Sequence, residues 1–139
     1  LMYSTNPTVR GVGRGMKLDR QSVVGMVASL GEWFAMDHED RLLGVHARLE
    51  DVRQKLGGLP GVETEITPIP RPWGFVLDIS IDSTILGKTS HQIGAELDSG
   101  SPRIWLVDEG PDRIRVFGHL LRDGEEAILG DRLRSAFGG

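Results

Sequence analysis

The chain has 139 residues, 39% of them hydrophobic and 26% charged, with a net charge of −4 and no cysteine. That length suits one domain able to bury a core without staples. Missing thiols exclude a disulfide framework, thiolate zinc ligands and a cysteine nucleophile, while the mildly acidic balance gives no electrostatic reason to bind nucleic acid or an anionic membrane.

Residues 1–18 carry Asn6-Pro7, Gly11, Gly13 and Gly15 and no helix or strand period, so they read as a connecting segment. Gly11-Val12-Gly13-Arg14-Gly15 lacks the spacing, the preceding strand and the following acidic residue of a dinucleotide fingerprint. Two readings stay open for it. It is either a linker with solvated cations, or a loop whose amides, with Arg14 and Lys17, meet an anion at a helix start.

The dominant element follows. From Asp19 to Leu59 no proline occurs and apolar residues recur at helical spacing through Val23, Val27, Leu30, Phe34, Leu42, Leu49, Val52 and Leu56. Asp19 is a good N-cap, and Gly57-Gly58 before Pro60 a good stop. A helix of roughly 60 Å outruns a domain of this size. Three internal glycines and the polar run Asp37–Arg41 therefore predict a kink or brief break between Met36 and Arg41, and apolar positions such as Trp33 and Phe34 are expected to lie uncovered.

Residues 61–69 alternate as a half-buried strand that Pro68 makes an edge or ends. Residues 73–81 give the clearest strand, with Phe75, Leu77, Ile79 and Ile81 on one face, antiparallel to the first. Asp82–Thr89 reads as a loop, residues 91–97 as a short helix capped by Thr89 or Ser90, and residues 103–107 and 113–117 as a hairpin about Glu109–Asp112. Gly124-Glu125-Glu126 opens a last helix with Ala127, Ile128, Leu129, Leu133 and Phe137 inward. The sum is an α+β fold: a long N-terminal helix and a mainly antiparallel four-stranded sheet with helices on one face.

Chemistry-bearing residues are sparse. His38, His46, His91 and His119 show no metal-ligand spacing. Ser90-His91 lacks the strained Gly-x-Ser-x-Gly turn of a hydrolase nucleophile, and Lys17, Lys55 and Lys88 include no evident Schiff-base lysine. Arg103, at the expected strand start after Ser101-Pro102, could grip a carboxylate or phosphate bidentately, while Arg115 reads as a solvated strand face.

Taken together, GVGRGMKLDRQSVVGMVASLGEWFAMDHE, LGGLPGVETE, SPRI and LRDGEEAILGDRLRSAF resemble the C-terminal part of selenocysteine synthase-like proteins. These are pyridoxal-phosphate enzymes of aminotransferase fold type I, grouped with D-glucosaminate-6-phosphate ammonia-lyase-like members. The resemblance spans nearly the whole chain. It implies that residues 1–18 connect from a large domain outside this chain and that 19–139 form the small C-terminal domain, with 19–59 as the linking helix. It implies pyridoxal 5'-phosphate bound mainly upstream, lyase or transferase chemistry with the ring as electron sink, a small amino acid or amino-sugar acid as substrate and a homo-oligomer; the lack of cysteine suits a cytoplasmic setting. Arg14 and Lys17 are implied to border the active site and Arg103 to clamp the substrate's acidic group; the chain alone is expected to be inactive. Phe117-Gly118-His119 departs from the family's small or proline-containing turn. From a different class, a free-standing anion-binding module or a dimerisation module remains open.

Overall fold

The computed structural model describes residues 19–70 and 74–138, and it divides the chain into two compact units, Leu1–Asp37 and His38–Gly139. In the first unit, α1 spans Arg20–Ala35. Asp19 caps it, accepting from the Ser22 amide and hydroxyl at 2.8 Å each, which satisfies a donor the helix start leaves open and holds the Asp19 carboxyl below its usual pKa. No residue of α1 is buried, and Val27 and Phe34 are 64% and 79% exposed.

A single helix over 19–59 does not form. Met36 takes an extended conformation with its amide turned back to the Trp33 carbonyl, and α2 starts afresh at His38 and ends at Leu56. Glu39 and Asp40 sit in its first turn and Arg53 and Lys55 in its last, each sign opposing the nearby helix-dipole charge. The break expected between Met36 and Arg41 thus falls at Met36–Asp37, and the long linking helix is two helices.

In the second unit, β1 (Val62–Ile69), β2 (Gly74–Ile81), β4 (Arg113–Phe117) and β3 (Val107–Asp108) lie in that order in one antiparallel sheet. Three strands are full length and β3 is a two-residue edge. The expected strand over residues 103–107 is therefore corrected: Ile104 donates its amide to the Leu97 carbonyl at the end of a helix, so the chain joins the sheet only at Val107. Pro68 is tolerated because β1 is an edge strand.

Asp82–Thr89 is not merely a loop. Asp82 caps a single turn, α3 (Ser83–Leu86), closed by Gly87 at φ 68°. Thr89 and Gln92 then form a reciprocal capping box on α4 (Ser90–Asp98). After a 3-10 turn at Gly118–Leu120, α5 runs from Glu125 to Ala136.

One core joins these elements. Leu49, Val52 and Leu56 of α2 pack with Leu77, Ile79 and Ile81 of β2, with Ile93 and Leu97 of α4, and with Leu129 and Leu133 of α5. Ala127 and Ile128, expected inward, face out, Ile128 at 47% exposure. Gly118 permits the close approach of the 3-10 turn to α2, since a Cβ there would lie 2.8 Å from Val45 Cγ1 and 2.9 Å from Leu49 Cδ1.

Candidate functional site

The cleft of interest exists because β3 is short. β3 pairs with β4 only at Val107↔Arg115 and Asp108↔Ile114, and before that the chain diverges from Val116 and Phe117. Into the resulting gap open Trp105, Phe117, Leu120, Leu121, Ile128 and Leu129, enclosing a cavity of about 320 Å³. Its walls are mostly apolar, and Arg103, Arg115 and Glu125 are the charged residues lining it.

Arg103 follows the turn that leaves α4, where Ser101–Pro102 is cis. Its Nε donates to Asp98 Oδ1 at 2.7 Å and its Nη2 to Asp98 Oδ2 at 3.2 Å. Asp98 ends α4, where the helix dipole also favours a cation nearby. The pair holds the Asp98 carboxyl below and the Arg103 guanidinium above their usual pKa values. Arg103 remains 72% exposed in its side chain, and among the described residues its Nη1 edge carries no bond.

Arg115 does not present a solvated strand face. Across the sheet its Nε donates to Asp78 Oδ1 at 2.8 Å and its Nη1 to Glu109 Oε1 at 2.7 Å. The Asp78 bond, chiefly, raises its pKa. With both acids engaged, Arg115 forms part of the cavity wall and offers little charge to a ligand.

Arg14 and Lys17 lie outside the described residues. Ser90 is buried at 1% exposure, donating its hydroxyl to the Gly110 carbonyl and its amide to the Pro111 carbonyl, so it braces α4 against the hairpin turn. His46 meets Phe75 edge-on and His119 meets Phe117 in the same manner. Among the described residues no three carboxylates or histidines gather as metal ligands.

The described residues do not fit a pyridoxal phosphate. Lys55 donates to Asp131 and to the Ala127 carbonyl, and Asp51 and Glu126 flank it in one surface hollow, a setting that repels a phosphate. Lys88 is bound to Glu96 and to the Ala136 carbonyl.

Sequence reasoning missed Trp105 and Asp98. Trp105 is 76% exposed, unusual for so large a ring. Its position two residues after Arg103 was the available signal, since in an extended segment the two side chains share a face.

No family model matches the chain. A curated 5'-C-glycyluridine monooxygenase-decarboxylase from Streptomyces sp is 25% identical over 124 residues, covering 86% of this chain and 31% of that protein. Among solved structures, D-glucosaminate-6-phosphate ammonia-lyase matches with a TM-score of 0.70 at 19% identity, over 91% of this chain and 34% of its own. The chain shares its fold with one third of that enzyme. It spans about a third of the length of each relative. Among the described residues no helix is long and apolar enough to cross a membrane.

Proposed function

We propose that the chain is the small C-terminal domain of a pyridoxal-phosphate lyase or transferase of fold type I, with Arg103 binding the acidic group of a small amino acid or amino-sugar acid. The observation that carries this reading is the fold likeness: nine tenths of this chain matches one third of an ammonia-lyase. The weaker sequence likeness to a second enzyme, again over about a third of its length, supports it. In this reading the cofactor is held by a large domain outside residues 19–138, in keeping with the poor fit of Lys55 and Lys88. Arg14 and Lys17 would reach toward that domain's site.

The uncovered apolar residues of α1 supply a surface for the large domain or for a second subunit of a homo-oligomer. Arg103 suits its role because a guanidinium keeps its charge at any working pH and offers a planar edge to an oxyanion. The test is to add pyridoxal phosphate to the polypeptide that carries this sequence and follow its near-visible absorbance. A saturable spectral change supports the reading, and an unchanged spectrum at every cofactor concentration contradicts it. A cytoplasmic location belongs to the same proposal and is checked by fractionation of the source cells.

A further inference from the structure

We infer that the cavity between Arg103 and α5 selects acids that carry a flat, apolar ring, the acid meeting Arg103 and the ring stacking on Trp105. This rests on the reading of Arg103 as the acid-binding group and narrows the substrate class. Three observations support it independently of the comparisons. First, Arg103 and Trp105 stand two residues apart and open on one cavity of about 320 Å³ whose remaining lining, Arg115 and Glu125 apart, is aliphatic and aromatic. Such a lining favours a ring over a hydrated polyol, because sugar hydroxyls placed against it would lose water without gaining partners. Second, the indole is 76% exposed, and an open aromatic face near a cation is a stacking platform. Third, the charges orient the ligand. Arg115 is engaged by Asp78 and Glu109, whereas Arg103 keeps its Nη1 edge. Glu125, the one carboxylate among the described lining residues, disfavours an acid at its own end of the cavity.

The experiment uses the full polypeptide and four probes: 3-phenylpropionate, hexanoate, glucuronate and benzyl alcohol. Calorimetry gives the affinities, and the resonance of fluorine-labelled tryptophan at position 105, assigned by its loss in Trp105→Phe, reports contact with the ring. The expected result is that phenylpropionate binds about ten-fold more tightly than the other three and alone shifts that resonance. Arg103→Ala then reduces its affinity to that of benzyl alcohol, and Trp105→Ala to that of hexanoate. Both positions are exposed, and an unchanged melting temperature confirms that the variants fold. Equal binding of phenylpropionate and hexanoate, with both weakened by Arg103→Ala, overturns the ring preference and leaves the acid clamp standing. Tighter binding of glucuronate overturns it in favour of a sugar acid. If Arg103→Ala changes no acid's affinity, the Arg103 reading falls as well.

Discussion

Arg103 and Asp98 form a two-point ion pair, with Nε on Oδ1 at 2.7 Å and Nη2 on Oδ2 at 3.2 Å, at the place where α4 hands the chain to the cavity wall. The carboxylate occupies the side of the guanidinium that an incoming acid would bind most strongly, so Asp98 acts as an internal competitor. Asp98→Asn is expected to tighten binding of a carboxylate probe by about two- to five-fold, the scale of an exposed ion pair. A titration of hexanoate into wild type and variant checks it, and weaker binding in the variant would identify Asp98 as a group that positions Arg103.

Arg115 answers to a different environment. Its partner Asp78 has a side chain only 14% exposed, and Arg115 itself is 26% exposed. Replacing the arginine leaves a half-buried carboxylate without its cation. Arg115→Leu is expected to destabilise the fold by about 1–3 kcal/mol, and the double variant Arg115→Leu/Asp78→Leu by less. Urea unfolding of the three proteins measures both.

Much of this fold was legible. Residues 73–81 announced β2 through alternation, and only the rear of that alternation differs: Val76, on the other face from Leu77 and Ile79, is also buried at 1%. Thr89 and Ser90 were the two caps on offer for α4, and the structure takes Thr89, whose capping box with Gln92 was written in residues three apart but not read. The breaks were less legible. The polar run after Met36 interrupts the apolar stripe and marks the place of the break, but not whether the helix bends there or stops and restarts, and the structure shows a stop at Ala35 and a restart at His38. The segment after Pro102 has the composition of a strand, but its amide at Ile104 is taken by the helix-end carbonyl of Leu97, a tertiary choice that local propensity does not record. The cavity follows from that choice, which is why Arg103 could be singled out from the sequence and Trp105 could not.

Gly118 allows the 3-10 turn after β4 to pack closely on α2. The Cβ of an alanine there would press on Val45 and Leu49, both in the buried part of α2. Gly118→Ala is expected to cost about 1–3 kcal/mol by overpacking. Gly31→Ala makes the contrast: nothing lies within 4 Å of its added methyl, and the substitution should strengthen α1 by about 1 kcal/mol. Thermal unfolding and helical circular dichroism test the two together. A loss of stability in Gly31→Ala would mean that another surface closes on α1 at that point.

His119 sets a pH dependence. Burial first, and the Arg41 charge second, push its pKa below the ordinary 6.5. The unfolded chain therefore takes up a proton at a higher pH than the native one. Stability from the neutral imidazole is fully present above pH 6.5, declines as pH falls below that value, and levels off beneath the lowered native pKa. His119→Gln is expected to flatten this limb. Unfolding free energy measured at steps from pH 7.5 down to about 5 checks it, and an identical slope in the variant would assign the limb to another group.

The central claim, that this chain serves a pyridoxal-phosphate enzyme without anchoring the cofactor itself, is tested most directly by borohydride reduction of the cofactor-loaded full-length polypeptide, followed by peptide mapping. The predicted result is one pyridoxyl-lysine on a peptide outside this chain, with Lys17, Lys55 and Lys88 unlabelled. A label on Lys17, Lys55 or Lys88, or no label on any lysine, would contradict the account.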